Sequence, residues 1–158
     1  NTQTEEWNGH TWDVGGAMVY GRYARVGAGS MNAAIAGGGV PAPAIHVYTE
    51  LYNGTTWSNG PNTPYSGADC KAGMGGTQNN ALARGGSEKA GTWDGTAWAT
   101  IVDLPNARDK ADVSGNGAVG MVAGGGSTPG ASLTTTLEWN NSFNTGSYLL
   151  TKKIGSNY

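Results

Sequence analysis

The sequence of 158 residues has little cysteine, histidine or charge, and each shortage excludes a class of protein. The single cysteine, Cys70, excludes an intrachain disulfide, and its predicted strand favours a small buried side chain over a reactive thiol. The two histidines, His10 and His46, have no nearby ligand at the spacing of a zinc site. Charged residues are 13% of the chain and the net charge is −2, which excludes a basic nucleic-acid surface. No apolar run approaches the roughly 18 to 20 residues of a membrane helix.

The sequence also lacks the arrangements of residues that carry enzymatic chemistry. It has no Gly-x-Ser-x-Gly segment, and its two histidines are not placed for a Ser-His-Asp triad. The eleven carboxylates are dispersed; Glu6, Glu50 and Glu138 recur just before an aromatic residue, which favours a role as a cross-strand partner or as an acceptor for the backbone over acid–base catalysis. The glycines at 37–39 precede no helix and no Gly-Lys-Ser/Thr segment, so a phosphate loop is not indicated. We therefore predict a protein that is not an enzyme and needs no cofactor or metal.

Glycine, tryptophan and tyrosine are abundant instead. The chain has 28 glycines, six tryptophans and seven tyrosines beside one phenylalanine. Glycine inside a helix costs about 1 kcal/mol relative to alanine, so this composition disfavours helices. The apolar residues are 37% of the chain and recur periodically, which is not typical of a disordered protein. Together these features predict an all-β fold with many tight turns.

A short aromatic motif, TELYNGTTW at 49–57, has counterparts at 4–12, 92–98 and 136–143. The first aromatic residues of the copies are Trp7, Tyr52, Trp93 and Trp139, and the second are Trp12, Trp57, Trp98 and Phe143. Three copies contain Asn-Gly or Asp-Gly, which predicts a β-hairpin because both turn residues can adopt positive φ. Recurrence every 40 to 50 residues indicates a repeat protein. We interpret these aromatics as packing residues between sheets; the alternative is that they bind a sugar or a peptide.

Two predicted strands rich in small residues precede each later copy, and the second ends in a pair of glycines. These pairs are Gly38-Gly39, Gly85-Gly86 and Gly125-Gly126. The single domain therefore divides into a closing hairpin at 1–12, full units at 13–57, 58–98 and 99–143, and the start of a further unit or a linker at 144–158. Four short strands per unit are the content of one blade of a β-propeller, whose inner strands crowd around a channel and favour small residues.

A strand that ends in two glycines and is followed by an aromatic and then a tryptophan resembles the kelch repeat, over nearly the whole chain. The resemblance implies an all-β, kelch-like β-propeller with about three full four-stranded blades plus partial blades at both termini. The aromatic pair is slightly closer than in kelch repeats, and Phe143 replaces tryptophan in the fourth copy. A solenoid or a β-sandwich is the alternative. The repeats are also similar to those of uncharacterised kelch-like proteins from marine phages and metagenomes, some of which are virion components.

Three units and a fraction fall short of a propeller, which closes with typically four to eight blades. The segment 144–158 repeats the spacing of the linker that follows Trp98, so we expect it to lead to another first strand. The chain also begins at Asn1 without methionine or a signal peptide, which predicts processing or excision from something longer. Open flanks expose strand edges and aromatic residues. We expect other copies of the chain, other virion or appendage proteins, or more of a longer polypeptide to complete the ring.

The predicted function is a non-catalytic structural and binding module. The resemblance implies a phage tail fibre or decoration, or an extracellular adhesin-like protein, located in a virion or outside the cell. Loop residues that could contact a glycan or a host-surface receptor are Tyr20, Tyr23, Tyr65, Pro41, Pro43 and Pro129. The first alternative is an intracellular kelch-type adaptor, which basic residues around the channel mouth would favour. The second is a carbohydrate-active enzyme on a propeller. Neither nucleic acid nor membrane insertion is expected.

Overall fold

This computed structural model describes residues 1–40, 47–64, 73–85, 87–127 and 131–141, and these form antiparallel β-sheets and turns without a helix. The predicted all-β class is confirmed. In chain order the strands are β1 (Thr4–Trp7), β2 (Trp12–Gly15), β3 (Tyr23–Ser30), β4 (Ala33–Val40), β5 (Thr49–Tyr52), β6 (Trp57–Gly60), β7 (Gly73–Thr77), β8 (Asn80–Arg84), β9 (Ala90–Trp93), β10 (Trp98–Thr100), β11 (Asp112–Gly115), β12 (Val119–Ala123), β13 (Gly126–Ser127), β14 (Ala131–Ser132) and β15 (Thr136–Asn140). The predictions for Pro41, Pro43, Tyr65, Gly86, Pro129, Phe143 and 144–158 lie outside the described residues.

Neighbouring strands in each sheet are also consecutive, or nearly so, in the chain. The first hairpin is β1-β2; sheet 1 is β3-β4-β5-β6, sheet 2 is β7-β8-β9-β10, and sheet 3 is β11-β12-β15. A small hairpin, β13-β14, is inserted between the last two strands of sheet 3. It was not predicted, and it occupies the connection that is longer in units one and three than in unit two. Sheets 1 to 3 therefore each have two strands of small residues followed by a strand that carries the recurrent aromatic residue, as the repeat predicts.

Two predicted boundaries differ from those of the structure. The second strand of the first hairpin continues past Trp12 to Gly15, because all four of its residues pair with β1. Likewise, β6 continues past Trp57, where the first full unit was predicted to end, to Gly60.

The aromatic hairpins are closed by a turn that differs from the prediction. Only the glycine of each Asn-Gly or Asp-Gly pair has positive φ; the values are 100° at Gly9, 89° at Gly54 and 98° at Gly95. The side-chain oxygen of the preceding residue accepts hydrogen bonds from the backbone N–H groups two and three positions further on. These acceptors are Asn8, Asn53 and Asp94. A short polar side chain that bonds its own turn explains the preference for Asn or Asp here, so positive φ at both residues was the wrong expectation.

Glycine is required where the first strand of each sheet turns into the second. Gly29, Gly76 and Gly115 have φ of 111°, 115° and 98°. A Cβ atom on Gly76 would lie 2.3 Å from the carbonyl oxygen of Asn80, and the equivalent contacts at the other two glycines are 2.2 and 2.4 Å. Both the backbone conformation and the space therefore exclude a side chain.

The glycine pair that ends the second strand has a defined conformation that corrects one prediction. Gly38 and Gly39 have φ of 64° and 102°, and Gly124 and Gly125 have nearly the same values, 65° and 90°. The third pair is therefore Gly124-Gly125, one residue earlier than the predicted Gly125-Gly126, and Gly126 begins β13. Three consecutive glycines at 124–126 leave this register ambiguous in the sequence.

The core lies between successive sheets. One cluster of buried side chains joins sheets 1 and 2 and contains Ile35, Met74, Ala81, Ala83 and Trp93. A second cluster belongs to sheet 3 and the linker before it and contains Leu104, Ala111, Val122 and Leu137. The first strands are neighbours across sheets, β3 with β7 and β7 with β11. Their small residues allow this approach: a Cβ atom on Gly73 would lie 2.7 Å from the carbonyl oxygen of Ala111.

Candidate functional site

The recurrent aromatics form a pair in each of the first three hairpins. The ring centroids of Trp7 and Trp12, of Tyr52 and Trp57, and of Trp93 and Trp98 lie 5.4, 4.9 and 5.4 Å apart. Each pair consists of direct cross-strand partners. In sheets 1 to 3 the first aromatic is almost fully buried, at 2% exposure for Tyr52, 1% for Trp93 and 5% for Trp139. The contacts at these positions are those of packing residues between sheets.

In sheets 1 and 2, the second aromatic residue of the hairpin joins its sheet to the preceding hairpin or sheet. The indole N–H of Trp57 donates to the hydroxyl of Thr4, and that of Trp98 donates to the hydroxyl of Thr49, each at 2.9 Å. In both cases the threonine lies three residues before the first aromatic of its own hairpin. We call this repeated contact the indole–threonine joint. The sequence shows the threonine that opens each of these motifs, but it does not show which tryptophan donates to that threonine.

Tyr52 makes another joint between the first hairpin and sheet 1. Its hydroxyl donates to the carboxylate of Glu6 and accepts the backbone N–H of Gly16 at 3.2 Å. The hydrogen bond to Glu6 raises the pKa of Tyr52 above its ordinary value, and the bond from Gly16 opposes it less strongly. The first hairpin is therefore fixed to sheet 1 by polar contacts as well as by packing.

Two buried arginines occupy equivalent positions, ten residues after a second tryptophan. They are Arg22 and Arg108, which follow Trp12 and Trp98. The acceptors are the carbonyl oxygens of Gly38 and Tyr48 for Arg22, at 2.9 Å, and of Gly124 and Thr135 for Arg108, at 2.7 Å. Each arginine thus ties the incoming linker to the end of the second strand and the start of the third. Burial lowers the pKa of Arg108 below its usual range.

Arg84 is a third buried arginine, and it joins sheet 2 to the linker before sheet 3. Its Nε and Nη2 atoms donate to the carbonyl oxygen of Ala111 at 3.0 and 2.8 Å. Its Nη1 donates to the carbonyl oxygens of Gly85, at 2.8 Å, and of Arg108, at 2.5 Å. The guanidinium is fully buried and donates to the backbone of that linker and of Gly85.

Glu50 is buried beside Arg22 and corrects the prediction that three glutamates share one repeated site. It accepts the backbone N–H of Val19 at 2.7 Å and forms an ion pair with Arg22 at 2.5 Å. Glu50 lies two residues before the aromatic, whereas Glu6 and Glu138 lie one before it, so they face opposite sides of the strand. Glu138 is exposed. The predicted role as a backbone acceptor is confirmed for Glu50 alone.

Within the described ranges, no three His, Cys, Asp or Glu side chains are grouped as a metal site would require. His10 is exposed in the turn of the first hairpin, while His46 and Cys70 lie outside those ranges. The same part of the chain has no helix that could cross a membrane.

Two of the predicted binding residues are on the surface. Tyr23 is 66% exposed and Tyr20 is 37% exposed. The ring of Tyr20 stacks on that of Tyr48, with centroids 4.7 Å apart and planes at 15°. The side-chain amide of Asn59 lies 3.5 Å from the Tyr20 hydroxyl. The predicted surface therefore gains Tyr48 and Asn59, which no local sequence pattern connects to Tyr20.

The first hairpin leaves one flank of the molecule open. In the described chain β1 pairs only with β2, whereas the equivalent strands β5, β9 and β15 each pair with the second strand of their sheet. Trp7, Trp12 and Val14 are 48%, 66% and 80% exposed, although the residues equivalent to Trp7 in sheets 1 to 3 are buried. Cavities of about 370 and 480 Å³ lie beside β1 and on the adjoining face of sheet 1, and both have Arg25 and Trp57 in their walls. We call this the hairpin flank.

Sheet 3 leaves the opposite flank open. Met121 is 42% exposed, but Ile35 and Leu82, which also lie three residues before a glycine pair, are 1% and 2% exposed. A following sheet covers those two side chains, and no described sheet follows sheet 3. Val119 is 50% exposed on this sheet, and a cavity of about 410 Å³ lies against Met121, Val119 and Glu138. We call this the sheet-3 flank.

The chain is similar in fold to the solved structure of YjhT, with a TM-score of 0.76 and 13% sequence identity. The similarity covers 94% of this chain and 52% of YjhT, so the chain spans about half the length of that protein. At this identity the likeness concerns the fold alone. No protein-family model and no curated protein matches the chain.

Proposed function

We propose that the chain is a non-catalytic structural and binding module that forms one sector of a kelch-like β-propeller. One observation carries the proposal: the buried charged side chains of the described residues are bound to the backbone of the sheets and of the linkers that enter them. Arg22, Arg84 and Arg108 donate to backbone carbonyls, and Glu50 accepts from a backbone N–H and from Arg22. Charges held in this way stabilise an architecture and are poorly placed to bind or transform a substrate.

The arrangement of the sheets supports the propeller part of the proposal. The first strands β3, β7 and β11 are neighbours, and the aromatic hairpins are joined by the same indole–threonine contact at successive sheets. When sheets are arranged around a common axis, the same contact is expected between each sheet and the next. The fold likeness to YjhT, over 94% of this chain, agrees with a common architecture.

We propose a virion or an extracellular appendage as the location, and the support is the resemblance of the repeats to kelch-like phage proteins. A glycan or a host-surface receptor would bind at Tyr20 and Tyr23, since exposed tyrosines supply flat apolar area with a polar edge. An intracellular adaptor is less well supported. Basic residues around the channel mouth would favour it, but Arg22, Arg84 and Arg108 are buried and bind the backbone.

A glycan array followed by titration calorimetry on any hit tests the proposal. We expect the double variant Tyr20→Ser, Tyr23→Ser to lose at least about tenfold in affinity, because exposed aromatic contacts dominate such surfaces. Met31→Ser is the matched control: Met31 is 45% exposed in the turn at the other end of sheet 1, and its loss should leave binding unchanged. Hydrolysis of a chromogenic glycoside by the purified chain, or binding that the double variant leaves intact, would contradict the proposal.

A further inference from the structure

We propose that two copies of this chain bind head to tail, with the hairpin flank of one copy against the sheet-3 flank of the other. The contacts are an indole–threonine joint from Trp12 to Thr136 of the second copy, and packing of Trp7 on Met121 of the second copy. The inference rests on the proposed radial arrangement of the sheets and names the partner that its open flanks fit.

The donor and the acceptor of a further indole–threonine joint are both present on the molecule. Trp12 occupies the position of Trp57 and Trp98, and its indole is 66% exposed. Thr136 occupies the position of Thr4 and Thr49, three residues before the first aromatic of its hairpin. Neither side chain makes a hydrogen bond within the described chain, whereas the two complete joints are both 2.9 Å long. The unused donor and the unused acceptor lie on opposite flanks.

The proposed apolar contact between Trp7 and Met121 also has an equivalent at an interface within the described chain. Between sheets 1 and 2, Ile35 and Trp93 belong to one buried cluster. Their equivalents on the open flanks are Met121 and Trp7, which are 42% and 48% exposed. A methionine thioether packs well against an aromatic ring. Pairing the two flanks would bury both side chains in the way that Ile35 and Trp93 are buried.

A second copy is the partner because the two complementary flanks belong to one sequence. An interface between different surfaces of identical chains is heterologous, and it closes into a ring when the rotation between copies permits. The matched region is 52% of YjhT, so that single polypeptide contains about as much chain again as the matched part. A second copy of this chain would supply the same amount.

Sedimentation velocity and light scattering over a range of concentrations test the pairing. We expect a closed dimer, or a larger ring, whose dissociation constant rises roughly 5- to 10-fold in Trp12→Phe and in Thr136→Val, since each variant removes one half of the hydrogen bond. Thr136→Ser keeps the hydroxyl and should restore wild-type association. Val for Thr preserves shape, so folding should be intact, and circular dichroism checks it. A monodisperse monomer, or a dimer indifferent to both variants, overturns the proposal.

A cross-link provides the direct test of which flanks meet. In a Cys70→Ser background, Trp12→Cys and Thr136→Cys are prepared as separate proteins and treated, alone or mixed, with a short bismaleimide, because an indole fills the gap between the two positions and a direct disulfide would not span it. We expect a cross-linked dimer from the mixture and little from either protein alone; equal yields in all three would overturn the head-to-tail arrangement. A monomer that still binds glycan through Tyr20 and Tyr23 would refute the pairing of two copies and leave the proposed function standing. A head-to-tail dimer that binds no glycan and hydrolyses a glycoside would refute the proposed function alone.

Discussion

Glu50 lies on β5, the third strand of sheet 1, and its carboxylate contacts the linker that enters that sheet, where water does not reach it. The cost of removing this charge from water is offset by Arg22 and by the backbone N–H of Val19. Removal of one member of such a pair leaves the other charge buried without compensation. A single substitution in the ion pair is therefore expected to be strongly destabilising, even though an intact buried pair adds little net stability compared with a well-packed apolar pair.

Glu50→Ala should lower the free energy of unfolding by about 3 to 5 kcal/mol, because Arg22 would keep a buried charge without a counterion. Glu50→Gln should cost less, since its amide oxygen can still accept the N–H of Val19. Urea denaturation followed by tryptophan fluorescence measures both. The matched control is Glu88→Ala in the exposed connection between β8 and β9, which should change stability by no more than about 0.5 kcal/mol. Equal losses at the two glutamates would refute this account of Glu50.

Asp94 gives the turn of sheet 2 a dependence on pH. Hydrogen bonds from the backbone N–H groups of Ala97 and Thr96, and from the Thr96 hydroxyl, lower the pKa of Asp94 below its ordinary value. Its folded pKa is thus below its unfolded pKa of about 3.9. The stabilisation is complete above the unfolded pKa and is lost as pH falls from there through the folded pKa.

We expect Asp94→Asn to keep the turn, since Asn8 and Asn53 occupy the same position, and to lose less stability than wild type between pH 5 and the folded pKa of Asp94. Asp94→Ala removes the acceptor and should lower the melting temperature at every pH. Melting curves of the three proteins at pH 7, 5 and 3.5 make the comparison. If the wild type and Asp94→Asn show the same loss on acidification, the side-chain bonds in this turn do not control it.

At the scale of strands and sheets, each joint combines a half-buried or buried aromatic residue with a polar contact that fixes its orientation. The indole of Trp98 reaches across to Thr49, which is 1% exposed, and Tyr52 reaches back to Glu6. Apolar packing alone tolerates sliding of one sheet over another, whereas a hydrogen bond between buried groups does not. For the joint between the second and third units, the sequence has Ala90 of the second unit at the threonine position and Phe143 of the third unit at the tryptophan position, so the acceptor and the donor are absent together.

A double-mutant cycle measures the indole–threonine joint. Trp98→Phe and Thr49→Val should each cost about 1 to 3 kcal/mol, since each leaves a buried polar group without its partner. The double variant should cost less than the sum of the two, by about 0.5 kcal/mol or more. Trp12→Phe serves as the control and should leave the stability of the monomer unchanged, because its indole has no acceptor in the described chain. Strict additivity in the cycle would mean that the joint contributes no coupling.

For the molecule as a whole, stability depends on how many neighbours each sheet has. In stacked repeats the stability is approximately the sum of each unit and its nearest interfaces. Sheet 2 has sheets on both sides, whereas the first hairpin and sheet 3 each expose a flank. Local opening should therefore begin at the two flanks.

Hydrogen exchange measured by mass spectrometry should show the slowest amides in β8 and β9 and the fastest in β1 and β2. Raising the protein concentration should slow exchange in β1 and β15 before it affects sheet 2, because association would cover the flanks first. Uniform protection along the chain would contradict the nearest-neighbour description. Protection of β1 that is independent of concentration would indicate that no second copy covers it.

Much of the element order could be predicted from the sequence because it depends on local chemistry. The repeated aromatics, with Asn-Gly or Asp-Gly between them, locate the hairpins at Gly9, Gly54 and Gly95, and the glycines at the ends of the inner strands mark turns that a side chain would block. The glycine register of the third unit was predicted one residue late, since three adjacent glycines carry no side chain by which to choose between 124 and 125 as the start of the pair.

What the sequence determined by itself is the repeat and its hairpins, since a turn needs only the residues within it. What the tertiary structure alone decided is which groups meet between sheets: that Glu50 faces Arg22 while Glu138 faces outward, and that Trp57 and Trp98 donate to threonines about 50 residues away. The physical reason is that burial depends on whether a neighbouring sheet covers a position. Ile35 and Met121 occupy equivalent places in their strands, yet one is buried and the other exposed.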